Sequence, residues 1–166
     1  MKISSYVVFA AAIGLLSCGG GESEPATAAS ETQETAAASA PESVALEISS
    51  NDMMQFDKKE LKAKAGQKVT LTLHHTGKAS KEVMGHNVVI LKPDVNIPDF
   101  GMKAVDAKDN DYIPASEEAN IIAHTKIIGG GESTSVEFTA PEPGIYIFIC
   151  SFPGHFAAMQ GTFIVE

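Results

Sequence analysis

An all-β fold is expected over residues 44–166: a Greek-key sandwich of seven to eight short strands carrying a short helical flap. Three features point to it: period-two alternation in several short segments, proline and glycine turn signals between them, and a single stretch with helical spacing. The first strand is placed at 44–49. Val69, Leu71, Leu73 and His75 then alternate with Thr70, Thr72 and His74, which puts His75 on the inward face and His74 on the outward one. Residues 87–91, Asn-Val-Val-Ile-Leu, read as a second, buried strand. The flap is expected over 98–113, where Asp99, Met102, Val105 and Asp106 have helical spacing. A strand at 121–128 carries His124 at the surface. Strands at 133–139 and 145–150 follow, separated by the turn Pro141-Glu142-Pro143-Gly144, and 161–165 closes the chain. About 120 residues can bury roughly two-thirds of their unfolded surface, so this unit needs no covalent staple.

The segments before it are of another kind. Residues 1–17 have a short positive start, Met1-Lys2, and an apolar run of about 14 residues; that suits a secretory signal and falls short of the roughly 20 a membrane helix needs. Leu15-Leu16-Ser17-Cys18 resembles a bacterial lipobox, which implies cleavage before Cys18 and lipid on its thiol; the alternative is an ordinary signal peptide with a free cysteine. Residues 18–43 read as a disordered tether: from Gly19 to Ser43 there is no Val, Ile, Leu, Met or aromatic residue, and five glutamates face no lysine.

Composition excludes several functions. All 12 basic residues are lysines and the net charge is −9, a poor endowment for nucleic acid or phosphate, which favour arginine forks. Two cysteines make no disulfide scaffold, and with Cys18 acylated Cys150 is the one remaining thiol. No general base, partnered nucleophile or glycine-rich phosphate cradle is evident, so no enzyme is expected.

The chemistry lies in the loop Cys150-Ser151-Phe152-Pro153-Gly154-His155-Phe156-Ala157-Ala158-Met159. It carries a thiol, an imidazole and a thioether, and Pro153-Gly154 supplies a turn that returns His155 towards Cys150. Soft sulfur with imidazole suits copper, and a trigonal site needs a second imidazole, which Met84-Gly85-His86-Asn87 offers at the start of a strand. Two histidines, one thiolate and a weak axial methionine make a type 1 copper set, with the Gly85 carbonyl able to approach from the other axial side. Apolar residues surround His155: Met54, Met84, Met102, Phe152, Pro153, Ala157 and Ala158, an expected electron-exit patch. For Met53, Met54 and Met102 the competing reading is plain core packing.

At these residues the chain resembles the azurins, within the cupredoxin family. The resemblance covers nearly all of 45–166 and runs through Asn51-Asp52, Met54-Gln55-Phe56, Val83-Met84-Gly85-His86-Asn87, Asp109, Asp111-Tyr112, Ile122-Ala123-His124-Thr125-Lys126, Phe152-Pro153-Gly154-His155 and Met159. It implies one type 1 copper held by His86, Cys150 and His155, with Met159 and the Gly85 carbonyl axial. It implies that Asn87, with Phe152, steadies the loop from behind the ligands. It implies a role for the His75 position in a pH-dependent shift, against a plain buried histidine. Lipid-anchored azurins with Ala/Glu-rich tethers are similar to residues 18–43. Three departures stand out: no cysteine lies between Cys18 and Cys150, so the usual disulfide is missing; Val88 replaces a usual tryptophan; and Ala79 and Ala158 reduce the usual docking face.

The function implied is electron transfer, with copper cycling between Cu(I) and Cu(II), in a bacterial envelope. The anchor implies the outer membrane, facing the periplasm or the exterior. Partners implied by relatives are redox proteins such as cytochrome c, nitrite reductase, a peroxidase or an oxidase. The alternative is a copper storage or delivery protein; a metal-free sandwich is the remaining rival.

Overall fold

The computed structural model describes residues 42–166. The expected signal segment, Cys18 and nearly all of the expected tether lie outside the described residues.

Nine strands and two short helices follow in order: β1 Val44–Asn51, β2 Gln55–Phe56, β3 Glu60–Ala63, β4 Lys68–His75, α1 Lys81–Met84, β5 Val89–Leu91, α2 Ile97–Ala104, β6 Ile121–His124, β7 Ser133–Thr139, β8 Gly144–Ile149 and β9 Gln160–Val165. One sheet runs β2-β1-β4-β7, the other β3-β9-β8-β5-β6. The expected sandwich is present, and both sheets are mixed: β1 lies parallel to β4, and β3 parallel to β9. No cysteine staples β1. Its hold is the ladder to β4, from Val44 opposite Val69 to Ser50 opposite His75.

Alternation along β4 sends Val69, Leu71 and Leu73 into the interface between the sheets, with Ile48 from β1. They join Leu61, Ile90, Phe148, Phe163 and Val165 of the other sheet in one core, which includes Cys150 and Met159. His75 follows the same parity and is buried, while His74 points out and hydrogen-bonds the Ser133 hydroxyl at 2.8 Å. Val88, where the resemblance leads one to expect tryptophan, is buried in that core.

β5 is apolar throughout because both of its faces are covered. Ile90 faces the main core, and Val89 and Leu91 face a second cluster with Phe100, Ile113 and Ile149. The flap supplies that cover. It comprises α2, capped by the Asn96 side chain accepting from the Asp99 amide at 3.0 Å, and a 3-10 turn over Val105–Asn110. Phe156 of the 150–159 loop packs against the same cluster, so the flap braces the loop from outside.

A second 3-10 turn, Ala115–Asn120, was not foreseen, and it holds the flap. Its buried Glu117 accepts from Lys103 of α2 and from Asn120. The Lys103 hydrogen bond, then that of Asn120, hold the Glu117 carboxyl below the ordinary value of 4.5. A depressed carboxyl stabilises the fold above its unfolded pKa, and the contribution fades as pH falls through the folded one. Glu117→Gln is therefore expected to lower the melting midpoint by a few degrees at neutral pH. Thermal scans in acid should find the difference from wild type gone once that carboxyl is protonated.

Several expectations need correction. The strand foreseen over 121–128 stops at His124 and returns as one bridge between His86 and Ile128. β2, β3 and α1 were not foreseen. Met53, Met54 and Met102 are not core: their exposures are 68%, 39% and 68%. Core volume is already filled by aliphatic and phenylalanine side chains, and these methionines sit on a turn and on the outer side of α2.

Candidate metal centre

The centre forms where three pieces of chain meet at one end of the sandwich. Cys150 follows the last residue of β8, so a strand aims its side chain. His86 lies between α1 and β5 and is fixed by two main-chain bonds with Ile128, of 3.0 and 2.9 Å. His155 stands in the loop back to β9. Gly154, at φ +80°, takes the left-handed turn that returns His155 to Cys150. The loop closes on itself through the His155 amide to the Phe152 carbonyl (3.0 Å), the Met159 amide to the His155 carbonyl (2.8 Å) and the Cys150 amide to the Met159 carbonyl (2.9 Å).

Three donor atoms converge. Cys150 Sγ lies 3.8 Å from His86 Nδ1 and 3.7 Å from His155 Nδ1, and the two nitrogens are 3.2 Å apart. The three ligand atoms lie within 4.8 Å of one another, and all three residues are buried. Met159 is fully buried on the same loop. The Gly85 carbonyl oxygen is 4.0 Å from Cys150 Sγ.

Tautomers are set from outside. His86 Nε2 lies 2.9 Å from the Asn51 carbonyl, which can only accept, so Nε2 carries the proton and Nδ1 presents a lone pair to the centre. His155 Nε2 has no protein partner, and among the described residues no buried side-chain nitrogen or oxygen is left unpaired, so that edge of the ring meets solvent. Burial drives the titration of all three groups: desolvation takes His86 and His155 down to about 4 and pushes the Cys150 thiol up to about 12. At neutral pH both imidazoles are neutral, the form that binds metal.

Behind the ligands, Asn87 joins three segments. Its Nδ2 donates to Ser151 Oγ (2.8 Å) and to the Asp111 carbonyl (3.1 Å), and its Oδ1 accepts from the Ser151 amide (2.9 Å). Asp111 and Tyr112 have positive φ values of 50° and 58°, a conformation that the Asn87 bond helps to hold. The Phe152 ring centre lies 4.7 Å from that of His155, the planes tilted by 42°, and Phe152 meets Tyr112 edge-on at 5.0 Å. Expected both behind the ligands and in the exit patch, Phe152 is buried against the ring of His155. Met84 and Pro153 are half-buried, and Ala157 and Ala158 are exposed. Sequence reasoning gave no role to Asn51, Asp52 or Ser151. Asn51 acts through a main-chain oxygen, which leaves no mark in the residue type.

A thiol, two neutral imidazoles and a thioether with no carboxylate among them suit copper better than harder ions. Fold and donor chemistry together define a type 1, blue copper protein. A model of the copper binding proteins of the plastocyanin/azurin family matches residues 42–166, and the chain belongs to that family. It is similar to azurin-1 of Alcaligenes xylosoxydans xylosoxydans, 46% identical over 123 residues, covering 70% of this chain and 93% of that one. It is also similar to outer membrane protein H.8 of Neisseria gonorrhoeae, 43% identical over 117 residues, covering 69% of this chain and 63% of the relative. Among solved structures it resembles the reduced auracyanin of Roseiflexus castenholzii, with TM-score 0.66 and 38% identity over 75% of this chain and 98% of that one. Membership of this family makes the protein a copper-binding electron carrier.

Proposed function

We propose that His86, Cys150, His155 and Met159 hold one copper ion, with the Gly85 carbonyl on the opposite axial side, and that the protein shuttles electrons between redox proteins of a bacterial envelope. The observation that carries this reading is the convergence of the thiol and two Nδ1 atoms inside a closed, hydrogen-bonded pocket. Bound copper supplies a one-electron couple, Cu(II)/Cu(I).

The residues do the rest. Asn51, Ile128 and the loop's own main-chain bonds keep the three donors in place when the charge at the centre changes, so little rearranges on electron transfer. Burial keeps water away, and four protein ligands leave no vacancy for a substrate, unlike catalytic sites. This favours a carrier over an enzyme. It also disfavours copper delivery, which needs an accessible site.

His155 is the port. Its Nε2 edge reaches the surface, and exposed Met54, Ala157 and Ala158, with half-buried Pro153 and Met84, supply the apolar surroundings. Such a patch suits brief contact with cytochrome c, a nitrite reductase, a peroxidase or an oxidase. In self-exchange two copies meet patch to patch, so Ala158→Glu sets like charges against each other. It is expected to slow self-exchange by about tenfold or more with copper retained. NMR line broadening of mixed oxidation states measures this, and an unchanged rate places the port elsewhere.

The envelope placement rests on the lipobox-like Cys18, the tether composition of residues 18–43 and the similarity to a protein named for the outer membrane. β1 fits such a leash. It starts at Val44 and ends at Asn51, whose carbonyl meets His86, so within the described residues Val44 lies a strand's length, roughly 25 Å, from that contact. Labelling with a radioactive fatty acid tests the anchor: wild type should incorporate it and Cys18→Ala should not.

A further inference from the structure

The β1–β2 turn does more than reverse the chain. Its main-chain Asn51 oxygen is the atom that orients the His86 ring. Yet the turn has little to keep it still. Asp52, Met53 and Met54 are all exposed, so no apolar burial pins its tip. Inside the turn, the Asn51 side chain accepts from the Met53 amide at 2.9 Å, and the Met54 amide reaches the Asn51 carbonyl at 3.2 Å. Those bonds shape the turn without fixing it to the rest of the molecule.

Thr76 ties down the Ser50 carbonyl at the base of the turn through its amide and its hydroxyl, and at the tip one side chain makes the attachment. The Asp52 carboxylate crosses to the segment after β4 and accepts from the Lys78 amide at 2.8 Å and the Ala79 amide at 3.2 Å. A carboxylate on two amide donors is a charge-assisted clasp. Residue 77 is shaped to receive it: a Cβ on Gly77 would lie 2.1 Å from Asp52 Oδ1. The clasped segment is itself tied inward, by the Gly130 amide to the Ala79 carbonyl at 2.8 Å and by the Gly77 amide to His75 Nδ1 at 3.0 Å. It leads directly into α1 and so to Gly85 and His86.

We propose that Asp52 is a positioning residue for the metal centre. By locking the β1–β2 turn to residues 77–79, it holds the Asn51 carbonyl against His86 Nε2 and so fixes the direction in which Nδ1 faces Cys150. The inference rests on His86 being a copper ligand. It assigns the role to the acceptor geometry of the carboxylate.

The test compares copper-loaded full-length wild type with Asp52→Ala and Asp52→Asn. Three readouts are taken: release of copper to an excess of chelator, the visible and electron-spin spectra, and the melting midpoint of the metal-free form. Loss of outer partners of metal-ligating histidines typically costs 10–100-fold in metal affinity. Asp52→Ala is expected to release copper about tenfold faster or more, with a displaced spectrum. Asp52→Asn keeps one of the two oxygen acceptors and turns an NH2 towards the other amide, so its release rate should fall between those of wild type and Asp52→Ala. Gly77→Ala, whose Cβ would meet both the carboxylate and the His75 ring, should release copper at least as fast as Asp52→Ala and replaces it if that variant does not fold. Wild-type release rate and spectrum in Asp52→Ala, whatever its melting midpoint, overturn the proposal. Wild type that takes up no copper overturns the ligand assignment itself, and the clasp with it.

Discussion

Replacing Cys150 by serine is expected to remove the blue colour and electron-transfer activity and to weaken copper binding by more than about a hundredfold, beyond the 10–100-fold that loss of an outer partner costs. The change deletes one polarisable sulfur and leaves the fold intact. Serine fits the volume, and its hydroxyl finds the partners the thiol now faces, His86 Nδ1 and His155 Nδ1. What it cannot supply is a soft anion. Burial already holds the thiol at about 12, and a hydroxyl is far harder to deprotonate. The remaining imidazoles and thioether then offer copper a neutral set without the thiolate that gives blue copper sites their colour and redox character. The check is titration of metal-free Cys150→Ser with copper, followed by absorption and by chelator competition. Intense blue in the serine variant would remove Cys150 from the ligand set.

The parts of the site that the sequence shows and those it hides differ for a physical reason. Cys150, His155 and Met159 share one ten-residue loop, so their spacing alone announces a chelate. His86 is 64 positions from Cys150; the need for a second imidazole and its place at the start of a buried strand suggested it, and the resemblance of Gly85-His86-Asn87 to a known motif fixed the choice. Asn51 and Asp52 were invisible as contributors. One acts through a carbonyl that every residue has, and the other binds amides 26 and 27 residues away. The fold divides similarly. β4 and β7 carry long alternation and are legible, whereas Glu60-Leu61-Lys62-Ala63 is a four-residue alternation beside two lysines, and its pairing with β9 is parallel and remote. The exposed methionines reversed a default drawn from hydropathy: thioethers at 53, 54 and 102 lie outside because the sheets already fill their shared interior with Ile, Leu, Val and Phe.

Withdrawing copper is expected to lower the melting midpoint by about 10–20 °C. Mass action at free copper about a thousandfold above its dissociation constant contributes about 4 kcal/mol, and a domain of this size shifts by several degrees per kcal/mol. The metal-free protein should then show a pH dependence of its own. His86 and His155 titrate near 4 in the fold and near 6.5 when unfolded, so between those values the unfolded chain binds more protons. Stability therefore rises with pH across that window and falls as acid is added through it. Cys150 acts at the other end. Between its ordinary 9 and about 12 the unfolded thiol ionises while the folded one keeps its proton, so stability declines as pH rises above 9. Loading copper at neutral pH displaces no proton from the imidazoles and one from the thiol, so each ion bound should release close to one proton. Calorimetry of metal-free protein across pH and copper titration in two buffers of different ionisation enthalpy measure both effects. Release of two or three protons, or a metal-free midpoint flat between pH 4 and 6.5, would mean that the donors wait in water rather than in a dry pocket. The order of events follows from the same geometry: the fold holds two neutral imidazoles against a protonated thiol before any metal arrives, and that desolvation strain is what ligation relieves.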